Sequence, residues 1–219
     1  MKRYFDILCS FIGLLILWPV IFFGWLLSTF SLGSNGFFFQ KRIGLHGVPF
    51  YVVKIKTMTN SDSSFSPITA LNTNRITRVG CFLRKYKIDE LPQLINVLFG
   101  SMSLVGPRPD VPGYADKLDG DDRAVLSIRP GITGLATISF KNEEELLAGI
   151  PNPIEFNDKV IYPLKTKLNI YYINHWSLKL DLDLIFQTII GVTFFNEPIK
   201  PFLNPQDCID KLGELNVKQ

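Results

Sequence analysis

Apolar positions crowd the first thirty residues of the chain and then thin out. From Ile7 to Phe30 there are 24 residues without a charge, and about 20 apolar residues suffice to cross a bilayer. The apolar core of a signal peptide is about 7–15 residues, so this run is too long for one. Pro19 stands near its middle, where the ring presses on the carbonyl of Leu15 and one backbone hydrogen bond is lost. A carbonyl freed in hydrocarbon is costly unless something re-satisfies it. A bend toward the surface therefore costs less here than in a proline-free helix. Basic residues flank the run on both sides, Lys2 and Arg3 before it and Lys41, Arg42, Lys54 and Lys56 after it. Such residues favour the cytoplasmic side, and a single crossing cannot place both groups there. The pattern leaves two arrangements open: a kinked span, or a re-entrant helix–break–helix that bends near Pro19 and leaves by the leaflet it entered.

Beyond the run the periodicity shortens. Two β-rich stretches within 37–57 flank Gly44-Leu45-His46-Gly47 and predict a hairpin with a four-residue loop. Residues 59–74 are rich in Ser, Thr and Asn and read as an exposed loop. A helix is expected near 75–87, and another where Leu91, Leu94, Ile95 and Leu98 recur before Gly100. Residues 101–113 carry three prolines and two glycines and predict a rigid loop. A helix near 113–128, a tight turn at 130–134 and a helical stretch over 168–195 follow. The apolar run Leu184–Phe195 is too short to span and suits a core or interfacial position.

Composition changes this picture little. With 219 residues the chain has room for one domain with an appendage, and 47% hydrophobic residues exclude a disordered chain. Charge distribution says more than the net value of +3. Residues 1–90 hold 11 Lys/Arg against 4 Asp/Glu, and the remainder 12 against 16. The basic half adjoins the apolar run, which points to anionic lipid or phosphate as a partner. Three cysteines without a C-x-x-C fit a reducing compartment. The two histidines have no metal-ligand spacing, and no Walker A, G-x-S-x-G or G-x-G-x-x-G occurs. The aromatics concentrate in the N-terminus, which argues against a base-stacking platform and a nucleic-acid partner.

The stretch LRKYKIDELPQLINVLFG, residues 83–100, holds the most chemistry. Pro92 is tolerated only in a first helical turn, so Asp89 is expected at or beside an N-cap. An aspartate there can be a plain cap. Yet Glu90 follows it directly, and Arg84, Lys85 and Lys87 bring three cations within five residues. Such a setting suits phosphate, keeps a carboxylate ionised, and offers a carboxylate pair to Mg2+. An ionised carboxylate can also act as nucleophile in phosphoryl chemistry. In Gly106-Pro107-Arg108-Pro109, two prolines stiffen the backbone around one guanidinium, which suits bidentate contact with phosphate; a rigid surface turn with a solvated arginine is the plainer reading.

These segments, in this order, resemble the bacterial sugar transferase family, the small monotopic phosphoglycosyl transferases. The matching pieces are KRYFD at 2–6, FFFQKRIGLHGVPFYVVKIKTM at 37–58, and ITRVGCFLRKYKIDELPQLINVLFGSMSLVGPRP at 76–109. PGITGLA at 130–136 and YYINHWSLKLDL at 171–182 also match. The resemblance implies transfer of a sugar phosphate from a nucleotide sugar, taken as a UDP-sugar, to polyprenyl (undecaprenyl) phosphate, with UMP released. It implies Asp89 and Glu90 as a catalytic and metal-binding dyad, Asp89 as the nucleophile that carries the phosphosugar, and Mg2+ as cofactor. It implies substrate contacts from Arg84, alongside the candidates Lys85 and Arg108, and a membrane bend at Pro19. The setting it implies is the bacterial inner membrane, with the catalytic domain on the cytoplasmic face and downstream glycosyltransferases as further partners.

The expected fold is α+β and mostly helical. It comprises a re-entrant anchor over 1–34, a cytoplasmic catalytic domain with one small hairpin and interfacial helices over 35–195, and a tail over 196–219. A rival reading is a catalytically silent membrane partner of a glycan-assembly complex. A direct displacement without a covalent step is a second enzymatic alternative. Some positions depart from the family pattern. Trp18 stands where a serine often precedes the proline, and Leu135–Lys141, the acidic Asn142–Glu145 and the segment to Lys167 differ, as do Asn169 and Ile170 before the Tyr-Tyr pair. These departures bear on the bend and on sugar or nucleotide recognition, and they leave the dyad intact.

Overall fold

The apolar N-terminus folds as one helix. In the computed structural model, which describes residues 1–59, 75–148 and 151–195, α1 runs from Lys2 to Leu32 with Pro19 inside it. The helix–break–helix expected at Pro19 is corrected to a continuous helix. A proline removes one hydrogen bond, and the turns on either side hold. Among the described residues this is the one helix long and apolar enough to cross a membrane.

One stripe of α1 is buried and, apart from Ile21, small or polar. Asp6, Ser10, Ile21, Gly24 and Ser28 are buried, at spacings that fall on one side of a 3.6-residue turn. The other side leaves Phe11, Leu15, Ile16, Trp18, Phe23 and Phe30 exposed. Both ends of the stripe rest on the same body. Near the start, Lys2 pairs with the buried Asp181. The Arg3 guanidinium donates to the carbonyls of Val97 at 2.7 Å and Leu98 at 3.0 Å. Asp6 accepts from Ser103 Oγ at 2.8 Å and Leu104 N–H at 3.1 Å. Near the end, Ser28 Oγ donates to the Lys56 carbonyl at 2.5 Å. Gly24 lies so close to its neighbours that an added Cβ would meet Ile55 and Ile88 at 3.0 Å.

The hairpin is present. Strand β1, Phe37–Ile43, pairs antiparallel with β2, Pro49–Ile55, and the connection is five residues, one more than expected. Partners share a face in an antiparallel pair, so Gln40 and Arg42 on β1 stand with Val52 and Lys54 on β2. The hairpin is tied to the helix behind it by Asn96, which accepts from Val53 N–H at 3.0 Å and donates to the Tyr51 carbonyl at 2.7 Å.

Helix α2, Arg78–Lys85, starts on Thr77, whose hydroxyl accepts from Gly80 N–H. Helix α3 is Gln93–Phe99, with Pro92 at its start. Between them Ile88–Glu90 form a 3-10 turn. The rigid loop over 101–113 contains a short strand, β3, Ser103–Val105, and the expected turn at 130–134 is strand β4, Gly131–Thr133, parallel to it. The two backbones run in contact, since a Cβ on Gly131 would lie 2.1 Å from Gly106 N. A glycine pair permits that approach. The helix expected near 113–128 is instead two 3-10 segments, Ala115–Lys117 and Gly120–Ser127.

Short helices α4, Leu135–Ser139, α5, Glu143–Ala148, and α6, Pro153–Phe156, precede α7, Tyr162–Asn174, and α8, Leu178–Ile190. The single helix expected over 168–195 is therefore two, because Ser177 caps a new start by accepting from Leu180 N–H. The main core gathers Val105, Leu135, Phe140, Leu168, Tyr172 and Leu184. Ile189, Ile190, Phe194 and Phe195 stay exposed beyond it. The fold is thus mostly helical α+β, with a second small sheet that sequence patterns missed. The loop expected at 59–74, apart from Thr59, and the tail at 196–219 lie outside the described residues.

Candidate active site

Asp89 and Glu90 sit in the 3-10 turn between α2 and α3. The turn follows Lys87, a non-glycine residue in the left-handed region at φ 56°, which swings the chain sharply after α2. Asp89 makes no cap on α3, a correction to the expected N-cap. Pro92 occupies that place, and Asp89 stands three residues earlier.

The two carboxylates have different surroundings. Glu90 is 13% exposed and is held by two cations. Lys54 Nζ donates to Oε1 at 3.0 Å, and Arg108 donates to both oxygens. Arg108 first and Lys54 second outweigh burial, so Glu90 stays well below the usual carboxylate range. Asp89 has one buried oxygen, Oδ1, with no hydrogen-bond partner. Burial, followed by the charge on Glu90, pushes its carboxyl up to about 6, against the pull of Lys54, Arg84 and Lys87. An unpartnered, basic carboxylate oxygen beside several cations has the chemical character that a nucleophile or a metal ligand needs.

The cations come from three segments. Arg84 on α2 and Lys87 act on Asp89 from one side. Lys54 comes from β2, and burial brings its ammonium down to about 8 despite Glu90. Arg108 comes from the Pro107–Pro109 loop, as the sequence suggested. Of the pair on Glu90, the Lys54 side chain is 17% exposed and Arg108 40%, so Arg108 is the more open to a ligand. Arg42 on β1 reaches the same loop, donating to the Pro109 carbonyl at 2.9 Å and to Gln40. Burial brings its guanidinium down to about 10, with Arg108 the next cause. The structure therefore brings Asp89, Glu90, Arg84 and Arg108 together. Lys85 does not join them; it is exposed and lies over the Tyr86 ring at 5.6 Å. Pro19 lies on α1, away from these polar contacts.

Lys54 and Arg42 were missed as site residues. Their signal was the period-two alternation of the hairpin, which places them beside Val52 on its inward face.

The same geometry bears on Mg2+. Among the described residues no three His, Cys, Asp or Glu side chains cluster as a cation cage. Mg2+ is ordinarily held by one or two carboxylates together with substrate phosphates and water. Asp89 Oδ1, with no partner, fits that partial donor set. Glu90 would join it only by exchanging one of its two cations.

Comparison with known proteins shows the family. The bacterial sugar transferase family profile matches residues 1–195. The uncharacterized sugar transferase EpsL of Bacillus subtilis is 34% identical over 189 residues, covering 86% of this chain and 85% of that protein. The exopolysaccharide production protein ExoY of Sinorhizobium fredii is 34% identical over 207 residues, covering 87% and 84%. The UDP-glucose:undecaprenyl-phosphate glucose-1-phosphate transferase of Klebsiella pneumoniae is 36% identical over 195 residues, covering 86% of this chain and 39% of that longer protein.

Proposed function

Given that this chain belongs to the bacterial sugar transferase family, and so is an enzyme of the phosphoglycosyl transferase kind, we propose that it moves a sugar-1-phosphate from a UDP-sugar to undecaprenyl phosphate. The reaction starts an exopolysaccharide or capsule. Relatives named for that transfer and for exopolysaccharide production support the reading. The observation that carries it is the unpartnered Asp89 oxygen beside Lys54, Arg84, Lys87 and Arg108.

The chemistry runs in two displacements. An Asp89 carboxylate oxygen attacks the sugar-bearing phosphorus of the donor. A new O–P bond forms, the P–O bond to UMP breaks, and UMP leaves with that electron pair. The lipid phosphate oxygen then attacks the same phosphorus, and the bond to Asp89 breaks, restoring the carboxylate. At neutral pH a carboxyl near 6 is mostly ionised and is still more basic than an ordinary aspartate. Arg108 and Arg84 offset charge on the diphosphate. Lys54 holds Glu90 so that the second carboxylate does not reach the incoming phosphate as a bare anion. Bound Mg2+, held by Asp89 and, after cation exchange, Glu90, would supply charge neutralisation to the donor phosphates. The two negative substrates never occupy the centre at once.

In this reading α1 is a monotopic anchor, lying unbroken in the cytoplasmic leaflet of the inner membrane with both ends on the cytoplasmic side. Support comes from the ends of α1. Lys2, Arg3 and Asp6 at one end and Ser28 at the other dock on the body that carries Asp89. A helix pinned so at both ends does not deliver its N-terminus to the far side of a bilayer. Its exposed aromatic and aliphatic side, with Ile189 and Phe194 beyond α8, meets the lipid.

Purified protein with Mg2+, undecaprenyl phosphate and a panel of UDP-sugars should release UMP. With lipid omitted, mass spectrometry should find a phosphosugar on the peptide holding residue 89. No UMP release with any of the donors would return the chain to a silent partner role. Release without an adduct, and without ping-pong kinetics, would favour direct displacement.

A further inference from the structure

A second polar cluster adjoins the dyad, and the reaction above leaves it unused. Asp110 follows the Pro107–Pro109 loop and is partly buried. Its backbone carbonyl accepts from Ile43 N–H at 2.9 Å, which fixes the loop to the hairpin. Tyr162, on the first turn of α7, donates its hydroxyl to Asp110 Oδ2 at 3.3 Å. One turn along α7, Lys165 donates to Glu143 Oε2 at 2.5 Å. The side chains of that pair are 26 and 27% exposed, so both remain reachable.

The cluster is electrically continuous with the catalytic centre. Lys165, Arg42 and Arg108 all act on Asp110. Arg108, which grips Glu90, also feels Glu143. From this geometry we infer that Asp110, held by Tyr162 and flanked by the Glu143–Lys165 pair, reads the hydroxyl groups of the donor's sugar and sets which sugar is transferred.

Charge decides between the two parts of the donor. A diphosphate is repelled by Asp110 and Glu143 and belongs with Arg84, Lys87 and Arg108 on the dyad side. A neutral polyol suits alternating carboxylates and cations, because each hydroxyl both donates and accepts. A carboxylate has about four acceptor sites, and among the described residues one side-chain hydrogen bond, from Tyr162, uses one of those on Asp110. Position agrees: Arg108, two residues before Asp110, holds Glu90 of the dyad and also acts on Asp110, so the cluster borders the dyad along the Pro107–Pro109 loop. A site that hydrogen-bonds a substrate hydroxyl discriminates strongly against donors lacking it.

The inference rests on the nucleotide-sugar reading, and the test separates the two. The full chain in detergent, with Mg2+ and undecaprenyl phosphate, is assayed with UDP-glucose, UDP-galactose and UDP-N-acetylglucosamine as wild type, Asp110→Asn and Tyr162→Phe. The donor best used by the wild type should show a KM rise of about tenfold or more in Asp110→Asn. The ranking of donors should change, and the KM for the lipid should not. In thermal melts, UDP should stabilise wild type and Asp110→Asn alike, while the added stabilisation by the full UDP-sugar should shrink in the variant. Equal loss with every donor, or unchanged ranking, overturns the assignment. Should Asp110→Asn fail to fold, Tyr162→Phe must shift the ranking in its place, and unchanged ranking there overturns it too. Wild-type inactivity with all donors removes the activity reading and the inference with it.

Discussion

Replacing Asp89 by asparagine should make the protein more stable at neutral and alkaline pH while abolishing turnover. The carboxyl has an ordinary value of 3.8 and is pushed up to about 6 in the fold, first by burial and then by Glu90. The folded state therefore holds its proton over a pH range in which the unfolded chain has lost it. Stability drains as pH rises from 3.8 through about 6. At about 1.4 kcal/mol for each pH unit, the accumulated penalty near pH 8 is about 3 kcal/mol. Asparagine carries no such charge but buries its own amide, which costs about 1 kcal/mol. The net gain is about 2 kcal/mol at pH 8. At pH 4.5 the remaining penalty on the wild type is about 1 kcal/mol and the gain disappears. For a chain of this size that is a melting temperature about 4–8 °C higher at pH 8 and level at pH 4.5. Melts in metal-free buffer with detergent, across this pH range, measure it. A variant less stable than wild type at pH 8, by an amount independent of pH, would show that Asp89 is a structural residue and sink the reasoning.

Other consequences are as direct. The kcat/KM profile should be bell-shaped, rising through about 6 as Asp89 ionises and falling through about 8 as Lys54 loses its proton; Lys54→Arg should remove the alkaline limb. Arg108→Lys loses the planar fork on Glu90 and should lower kcat/KM by roughly tenfold in the UMP-release assay. Lys2→Met strands the buried Asp181, which keeps its bonds from Tyr172 and Trp176, and should cost about 3 kcal/mol in denaturant titration; adding Asp181→Asn should restore most of it. Single cysteines at position 4 and at position 34, with the native cysteines replaced, should both label from the cytoplasmic side of vesicles, and opposite labelling would rule out the one-leaflet anchor.

Legibility followed the range of the interactions. The hairpin was visible because alternation and a Gly-bounded loop are local signals, and α3 because its leucines recur within one helix. The dyad and Arg108 were visible as chemistry-bearing residues packed into short stretches. What escaped depends on distant partners. Strand β4 is three residues of Gly-Ile-Thr whose ladder partner lies 28 positions away at Ser103, and no window on the sequence joins them. Lys2, Arg42 and Lys54 were weighed for membrane orientation. Lys2 instead neutralises a buried carboxylate, while Arg42 and Lys54 face the site. The helices expected over 113–128 and 168–195 gave way to 3-10 turns and a serine cap, because local capping overrides a loosely periodic pattern.

The contact between Gly24 and Ile88 has a mechanical meaning. Ile88 is the residue immediately before Asp89, and it leans on the buried side of the lipid-facing helix with no spacer between them. In the proposed reaction, a tilt or pressure on that helix passes through Ile88 to the Asp89 carboxyl, and turnover measured across a graded series of acyl-chain lengths should register it.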